Sequence, residues 1–387
     1  MNKEELKSLL EKFDAGQCTA EEVGMLESWY LQWRTDEEID LADAEAEQRI
    51  DHIWSRLDEE PEVQKTPLRL WPRFAAAAVI LIALSSGLFF YLHRGGSTSV
   101  SIAKQDVPAG GNKAYLTLAD GKRIVLSDAA NGELAKETGV AISKSADGQL
   151  IYTLSALSNT AKTGQPIYNK IETPKGGQYQ VVLPDGTKVW LNSASSLRFP
   201  AMFTNLKKRE VELNGEAYFE VAHNKKQPFI VKTARQELSV LGTHFNLSSY
   251  AEEDVTKTTL LQGAVLVHRL GNILNPIEGK DFALLKPGQQ ATLRKTIQTG
   301  PADIEMATAW KDGNFLFNEL DLKSILQQLS RWYNVEVDYS HVPENRFFTV
   351  FISRSVNLSK VLEMLEIAGG IQFEIDQKTI KVINLKH

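Results

Sequence analysis

The sequence predicts a multidomain chain. A small α-helical head and a single transmembrane helix precede an all-β domain of stacked hairpins and a C-terminal α+β domain built from two βαβ halves. Three observations lead to this prediction: the charge changes along the chain, one apolar run carries no charge, and helical periodicity gives way to strand periodicity. A length of 387 residues, at about 100–200 residues per domain, suits such an organisation.

The composition limits the classes of protein to consider. Hydrophobic residues make up 43% of the chain and charged residues 24%, which excludes a disordered chain, a collagen-like repeat and a polytopic membrane protein. A single cysteine, Cys18, excludes an intramolecular disulfide framework and any site that needs several cysteines.

Residues 1–60 form the predicted acidic head. They hold 6 Lys and Arg against 18 Asp and Glu, a net charge of −12, so the rest of the chain carries +6. Thr19 with Glu22 and Thr35 with Glu38 match the capping box that begins helices. The acidic surface suits a basic protein partner, but acidity that only keeps the domain soluble explains it equally well.

Residues 61–73 are interpreted as a linker and residues 74–92 as a transmembrane helix. The run from 74 to 92 contains no charged residue, and its length of about 28 Å as a helix approaches the ~30 Å hydrocarbon core of a bilayer. A buried core helix is the alternative. Positive charge is more abundant before the run than after it, which predicts a cytoplasmic head and an extracytoplasmic body.

Residues 98–300 are predicted to be all-β. Two-residue turn signals recur between strand-like runs, at Asp120-Gly121, Asn131-Gly132, Asp147-Gly148, Asp185-Gly186 and Asn214-Gly215. A weak internal repeat relates residues 108–126 to residues 174–191. Stacked hairpins in a sandwich or a solenoid-like arrangement fit both observations.

Residues 312–387 carry a sharper repeat of 36 residues. Asp321 and Leu322 recur as Asn357 and Leu358, and the apolar positions that follow keep the same register. Each copy places an N-capping Asp or Asn before an amphipathic helix and a strand after it. Two such copies predict a compact α+β domain.

We find no catalytic or cofactor motif in the sequence. The seven histidines show no metal-ligand spacing, and Glu216 and Glu220 on one strand would lie about 13 Å apart, too far for a glycosidase pair. We therefore expect no enzyme, no metal and no cofactor.

Residues 176–197, 211–221, 228–233 and 240–247 together resemble the periplasmic domain of FecR-type regulators, which are membrane-anchored anti-sigma factors. The C-terminal repeat resembles the domain that ends such regulators in Bacteroidetes. It is similar in plan to the short signalling domain of secretins and TonB-dependent receptors.

The resemblance implies an inner-membrane, single-pass protein with a cytoplasmic N-terminus and a periplasmic C-terminus. Its head would bind an extracytoplasmic-function sigma factor, without direct contact to nucleic acid. Its periplasmic domains would sense the signalling domain of a TonB-dependent outer-membrane receptor, and membrane-embedded and periplasmic proteases would release the sigma factor. Transcription of nutrient-uptake genes would be the output.

The aromatic and acidic residues around residue 30 are the expected sigma-factor contacts, because aromatics often dominate interface energy. These residues are Trp29, Tyr30, Trp33, Glu21, Glu22 and Glu27. Packing in the core of a helical bundle is an equally good explanation for each aromatic taken singly.

The resemblance also implies a self-cleavage site at Gly242-Thr243, where an N-to-O acyl shift would use the threonine hydroxyl. An ordinary strand threonine is the simpler alternative. Two other functions stay open: a membrane-tethered periplasmic carbohydrate-binding protein that uses Trp190 and Tyr218, or a periplasmic scaffold protein.

Overall fold

The computed structural model describes residue 12 and residues 106–137, 140–154, 166–270 and 281–385. Strands dominate these ranges. The strands of the β domain are β1 (Gly111–Asn112), β2 (Tyr115–Thr117), β3 (Arg123–Val125), β4 (Gly132–Glu137), β5 (Val140–Lys144), β6 (Leu150–Leu154), β7 (Tyr168–Glu172), β8 (Gly177–Val182), β9 (Lys188–Leu191), β10 (Ser196–Pro200), β11 (Arg209–Glu220), β12 (Phe229–Lys232), β13 (Gln236–Val240), β14 (His244–Ser249), β15 (Thr256–Gln262), β16 (Val265–Arg269), β17 (Phe282–Leu285), β18 (Gln289–Leu293) and β19 (Ile297–Pro301).

The chain passes back and forth between two sheets. The first sheet has the order β3-β2-β7-β10-β11-β12-β13-β16-β17. The second has the order β4-β5-β6-β8-β9-β11-β14-β15-β18-β19. Neighbours are antiparallel except for β11 with β12 and β6 with β8, and β1 runs parallel to β8.

Strand β11 belongs to both sheets. Residues 209–212 pair with β12 in the first sheet, and residues 215–220 pair with β14 in the second. The predicted hairpin turn at Asn214-Gly215 is therefore wrong, because this pair lies within the strand where it leaves one sheet for the other.

One apolar core lies between the two sheets. Alternate strand residues point into it, as the period of two requires. Phe199, Phe219, Phe229 and Phe245 are fully buried there, and the rings of Phe219 and Phe245 stack with their centres 4.9 Å apart. Aromatic side chains of this size supply much of the area that the domain buries.

The C-terminal domain has its own core and follows a short helix. The short helix is α1 (Ile304–Thr308). The elements of the domain are β20 (Asn314–Asp321), α2 (Leu322–Tyr333), β21 (Glu336–Asp338), β22 (Phe347–Ser353), α3 (Leu358–Gly369), β23 (Ile371–Asp376) and β24 (Thr379–Leu385). β20 pairs with β22, and β24 lies between β21 and β23. Positions related by the 36-residue repeat, such as Leu322 with Leu358, are fully buried.

The fold class predicted from the sequence is wrong as stated, because the described residues from 106 to 385 are mostly in strands and include only three short helices. In the ranges given above, no helix combines the length and the apolar character needed to cross a bilayer. The predicted helical head, the linker and the apolar run at 74–92 lie outside the described residues, residue 12 excepted. Local patterns alone make only marginal helices, since tertiary packing supplies most helical stability.

Candidate functional site: the interface between the β domain and the C-terminal domain

Two buried arginines of the C-terminal domain contact the second sheet of the β domain. Arg331 lies near the end of α2, and Arg354 follows β22 directly. Their side chains are 7% and 3% exposed. A buried guanidinium is costly unless hydrogen bonds and aromatic faces replace its water, so the neighbours of both residues define the interface.

Arg354 is held by residues of both domains. Its guanidinium carbon lies 3.7 Å from the centre of the Trp332 ring, within the C-terminal domain. Its Nη2 donates to Oδ1 of Asn192 at 2.9 Å, and its Nη1 donates to the Trp310 carbonyl at 2.9 Å. Burial lowers the pKa of Arg354 to about 10, and attraction by Tyr250 and Glu216 opposes that change. The group stays charged at neutral pH.

Arg331 makes the second contact. Its guanidinium carbon lies 3.8 Å from the centre of the Tyr250 ring, and its two terminal nitrogens pair with Glu252 at 3.1 Å and Glu253 at 2.8 Å. Burial would lower its pKa, but the acidic groups of Tyr250 and Glu253 outweigh it and raise the pKa. The Arg331 carbonyl also accepts from the Gly176 amide at 2.7 Å.

An amide and carboxylate network joins these contacts across the second sheet. Glu216 accepts from Nδ2 of Asn192 at 2.8 Å and from Nδ2 of Asn246 at 2.9 Å. Asn246 in turn accepts from Nε1 of Trp310 at 3.1 Å. Burial raises the pKa of Glu216, although the two asparagine amides work in the opposite direction. The network therefore fixes the positions of Asn192 and Trp310, which accept the two shortest hydrogen bonds of the Arg354 side chain.

These contacts do not make an active site. The terminal nitrogens of both arginines and the Glu216 carboxylate bond to other protein groups, while Arg354 Nε is buried without a hydrogen-bond partner. The described residues contain no cluster of His, Cys, Asp and Glu that could hold a metal ion. The arrangement holds the two domains together through buried charges, which are costly to leave unpaired. If the domains separated, these charged groups would lose their partners at the same time, and each would then be either exposed to water or buried without a partner.

The predicted sigma-factor contacts lie outside the described residues. This applies to Trp29, Tyr30, Trp33, Glu21, Glu22 and Glu27.

In the predicted self-cleavage pair, Thr243 is buried in the β domain and Gly242 is half-buried. The hydroxyl of Thr243 donates to the Ala264 carbonyl at 3.0 Å, and the Thr243 carbonyl accepts from the Val221 amide at 3.0 Å. Gly242 lies against His223, and a Cβ at this position would be 2.5 Å from His223 Nδ1. Close packing is thus sufficient to explain the glycine.

Trp190 and Tyr218 are neighbours on adjacent strands, with ring centres 5.6 Å apart. Tyr218 is only 4% exposed, and the Lys311 ammonium lies 5.5 Å from the Trp190 ring centre and 5.1 Å from that of Tyr218. The two rings therefore do not form the open aromatic platform that carbohydrate binding would need.

Sequence reasoning missed both arginines and considered Glu216 only as half of a catalytic pair. The one available signal was Arg354 itself, a charge that directly follows the uncharged strand Phe347–Ser353. Nothing local distinguishes such a residue from an exposed arginine at a strand end.

Two family models match this chain. The model described as "FecR protein" matches residues 169–266, in the β domain, and the model described as "FecR, C-terminal" matches residues 314–382. No curated protein matches the sequence.

Two crystal structures, at 2.50 Å and 1.65 Å, are similar to this chain. Both are of a "putative anti-sigma factor" from Parabacteroides distasonis ATCC 8503 and are 29% identical to it, with a TM-score of 0.50. The matches cover 57% and 56% of this chain and 100% and 99% of the matched chains.

The two described domains are thus similar in sequence and in fold to the anti-sigma factor structures. Residues 169–266 and 314–382 are a FecR domain and a FecR C-terminal domain, which supports the recognition of a FecR-type anti-sigma factor and a role in sigma-factor signalling.

Proposed function

We propose that this protein binds an extracytoplasmic-function sigma factor through residues 1–60 and that the two described domains control the release of that factor. The observation that carries the proposal is the presence, in one body, of a FecR domain and a FecR C-terminal domain with the fold of an anti-sigma factor relative. The net charge of −12 in residues 1–60 supports a basic partner.

The sensing half of the proposal concerns the receptor. We infer that the described domains lie in the periplasm and bind the signalling domain of a TonB-dependent outer-membrane receptor, and that proteases act on the chain once that contact changes. The resemblance of the C-terminal domain to short signalling domains supports this inference. The interface between the β domain and the C-terminal domain supports the inference as well, because a partner that binds one domain can change the position of the other.

Capture of the sigma factor tests the first half. The full-length chain, tagged and expressed in its source organism, should retain a small basic sigma factor that is identified by mass spectrometry and released by high salt. A chain that lacks residues 1–60 should retain none. Equal capture by both chains would contradict the proposal.

A matched pair of charge variants sharpens this test. Glu21→Gln, Glu22→Gln and Glu27→Gln together should weaken sigma-factor binding by at least about tenfold, the effect of losing about 1.4 kcal/mol. Asp43→Asn, Glu45→Gln and Glu47→Gln together remove the same charge elsewhere in residues 1–60 and should leave binding nearly unchanged. An equal loss in both variants would mean that net charge, and not these residues, determines binding.

Binding of the receptor tests the second half. The full-length chain in detergent should bind an isolated signalling domain from a TonB-dependent receptor of the same organism, measured by calorimetry. Absence of binding to every such domain would contradict the sensing role and leave sigma-factor binding untouched.

A further inference from the structure

Residues 106–112 run between the two domains of the body. We call them the lead segment, because they are the part of the described body that follows residues 1–105. Their first residues contact the C-terminal domain and their last residues contact the β domain, so each end has different partners.

Asp106 provides the N-terminal cap of helix α3. Its Oδ1 accepts from the Ser359 amide at 3.1 Å, and its Oδ2 accepts from the Ser359 hydroxyl at 2.7 Å. Partial burial would raise the pKa of Asp106, but hydrogen bonds from Ser359 and Asn357 outweigh it and lower the pKa. Helix α3 thus takes its cap from a residue 253 positions earlier.

The first copy of the 36-residue repeat shows the ordinary arrangement. Asp321 caps α2 locally, by accepting from the Ser324 amide at 2.9 Å and the Ser324 hydroxyl at 2.7 Å. Its counterpart Asn357 makes no such side-chain bond to α3. Asn357 occupies the N-cap position that the sequence predicts, but its side chain does not supply the capping bond. The cap of α3 depends on the lead segment.

Val107 also belongs to the C-terminal domain. Its carbonyl accepts from the Leu358 amide at 3.0 Å, and its side chain, 8% exposed, packs in the core that contains Leu358 and Trp332. Residues 106 and 107 therefore satisfy two amides in the first turn of α3, and such amides have no partner within their own helix.

The other end of the lead segment belongs to the β domain. Gly111 donates to the Gly176 carbonyl at 3.0 Å, and β1 pairs with the start of β8. Between the ends, Gly110 has no room for a side chain, because a Cβ would lie 2.8 Å from the Trp332 carbonyl oxygen and 2.9 Å from that of Gly176. The two oxygens belong to different domains, so both domains exclude a side chain at residue 110.

We propose that the lead segment is a latch, which stays docked only while the C-terminal domain stays on the β domain. This inference rests on the proposed function for its biological role. Displacement of the C-terminal domain by a partner removes Ser359, Leu358 and Trp332 from the segment. What remains is a two-residue strand, β1, which is too short to hold the chain. The chain that leads to residues 1–105 then becomes accessible to proteases.

Neighbouring glycines provide a matched test in the full-length chain. Gly110→Ala places a methyl group against two carbonyl oxygens, whereas Gly111→Ala places one in open space. Gly110→Ala should speed hydrogen exchange at the Leu358 and Gly111 amides by about tenfold, and should speed trypsin cleavage after the exposed Lys113 in proportion. Gly111→Ala should change neither by more than about twofold.

Asp106→Ala is the second variant, because Gly110→Ala could also disturb the fold. Loss of the cap should speed exchange at the Ser359 amide by about fivefold and leave Phe219, in the β-domain core, fully protected. Equal behaviour of the two glycine variants, or unchanged exchange at Ser359 in Asp106→Ala, would overturn the latch.

A transcriptional reporter links the latch to regulation. Gly110→Ala should raise sigma-dependent reporter output without any receptor signal, and Gly111→Ala should not. Faster exchange with a silent reporter would overturn the regulatory role of the latch. The chain that lacks residues 1–60 tests the proposed function separately. If this chain controls the reporter as well as the full chain does, the proposal that residues 1–60 bind the sigma factor is wrong. The hydrogen-exchange data would still decide whether the lead segment is a latch.

Discussion

The guanidinium of Arg354 lies on the indole ring of Trp332, at 3.7 Å from the ring centre, and reaches out of its own domain to bond with Asn192. The ring supports one face of the charge, and the acceptors are Asn192 of the β domain and the Trp310 carbonyl in the connection between the domains. The C-terminal domain therefore completes its own packing only when it lies on the β domain.

Loss of the Arg354 charge should weaken this interface. Arg354→Met keeps much of the volume but removes the charged hydrogen bonds to the Trp310 carbonyl and the Asn192 amide oxygen, which should lower the free energy of unfolding by about 3 kcal/mol. Urea unfolding of the full-length chain measures the change. The control is Arg346→Met, because Arg346 is exposed and its loss should cost less than about 0.5 kcal/mol. Equal effects would refute the role of Arg354.

Glu216 predicts a pH dependence. Its pKa in the folded protein is above the ordinary value of 4.5, mainly because of burial, so the folded protein binds the proton more tightly than the unfolded chain. The free energy of unfolding should then fall as the pH rises from about 4.5 through the folded pKa. Glu216→Gln removes this dependence, so the stability of the wild type relative to the variant should decrease over that interval.

Urea unfolding at several pH values checks this prediction. The control is Glu344→Gln, which removes a carboxylate at an exposed position outside the interface network. A stability difference between wild type and Glu216→Gln that is the same at every pH would contradict it.

The Gly242 contact predicts a packing cost. Gly242→Ala puts a methyl group against His223 and should lower the free energy of unfolding by about 2 kcal/mol, within the range for overpacking. Gly300→Ala, with open space around its Cβ, should be nearly neutral. Thermal unfolding compares the two variants, and similar melting temperatures would contradict the packing argument.

The same protein tests self-cleavage, which stays a prediction for Gly242-Thr243. Denaturing gels of the wild type should show a fragment that ends at Gly242, and Thr243→Val should abolish it because the attacking hydroxyl is gone. Thr243→Ser keeps the hydroxyl and serves as the control. A wild-type preparation that contains only the intact 43.2 kDa chain would refute the prediction.

Strand β22 provides a test of register. Phe347 is 60% exposed and Phe348 is 3% exposed, because successive side chains of a strand point to opposite faces. Phe348→Ala should lower the free energy of unfolding by about 3–5 kcal/mol, and Phe347→Ala by less than about 0.5 kcal/mol. Denaturant unfolding of both variants measures the difference, and a cost at Phe347 equal to that at Phe348 would show that another surface covers this face.

The sequence by itself determined the features whose signal is local. The 36-residue repeat placed Leu322 and Leu358 at equivalent helix positions, and both are buried, because a helix buries whatever recurs at three and four residues. The turn signal at Asp185-Gly186 was equally readable, although the turn is longer than the predicted two residues. The Gly186 amide donates to the Leu183 carbonyl, and Gly186 has the positive φ of the glycine that follows a type I turn in a three-residue hairpin loop.

Only the tertiary structure decided the features that depend on distant partners. Asn214-Gly215 has the composition of a turn but lies within β11, because pairing with β10 and β14 outweighs the local preference. Asp106 caps α3 from 253 positions away, and Arg354 is buried by a domain that lies outside its own repeat. The bonds that hold such residues join segments far apart in the chain, so no pattern of neighbouring residues records them.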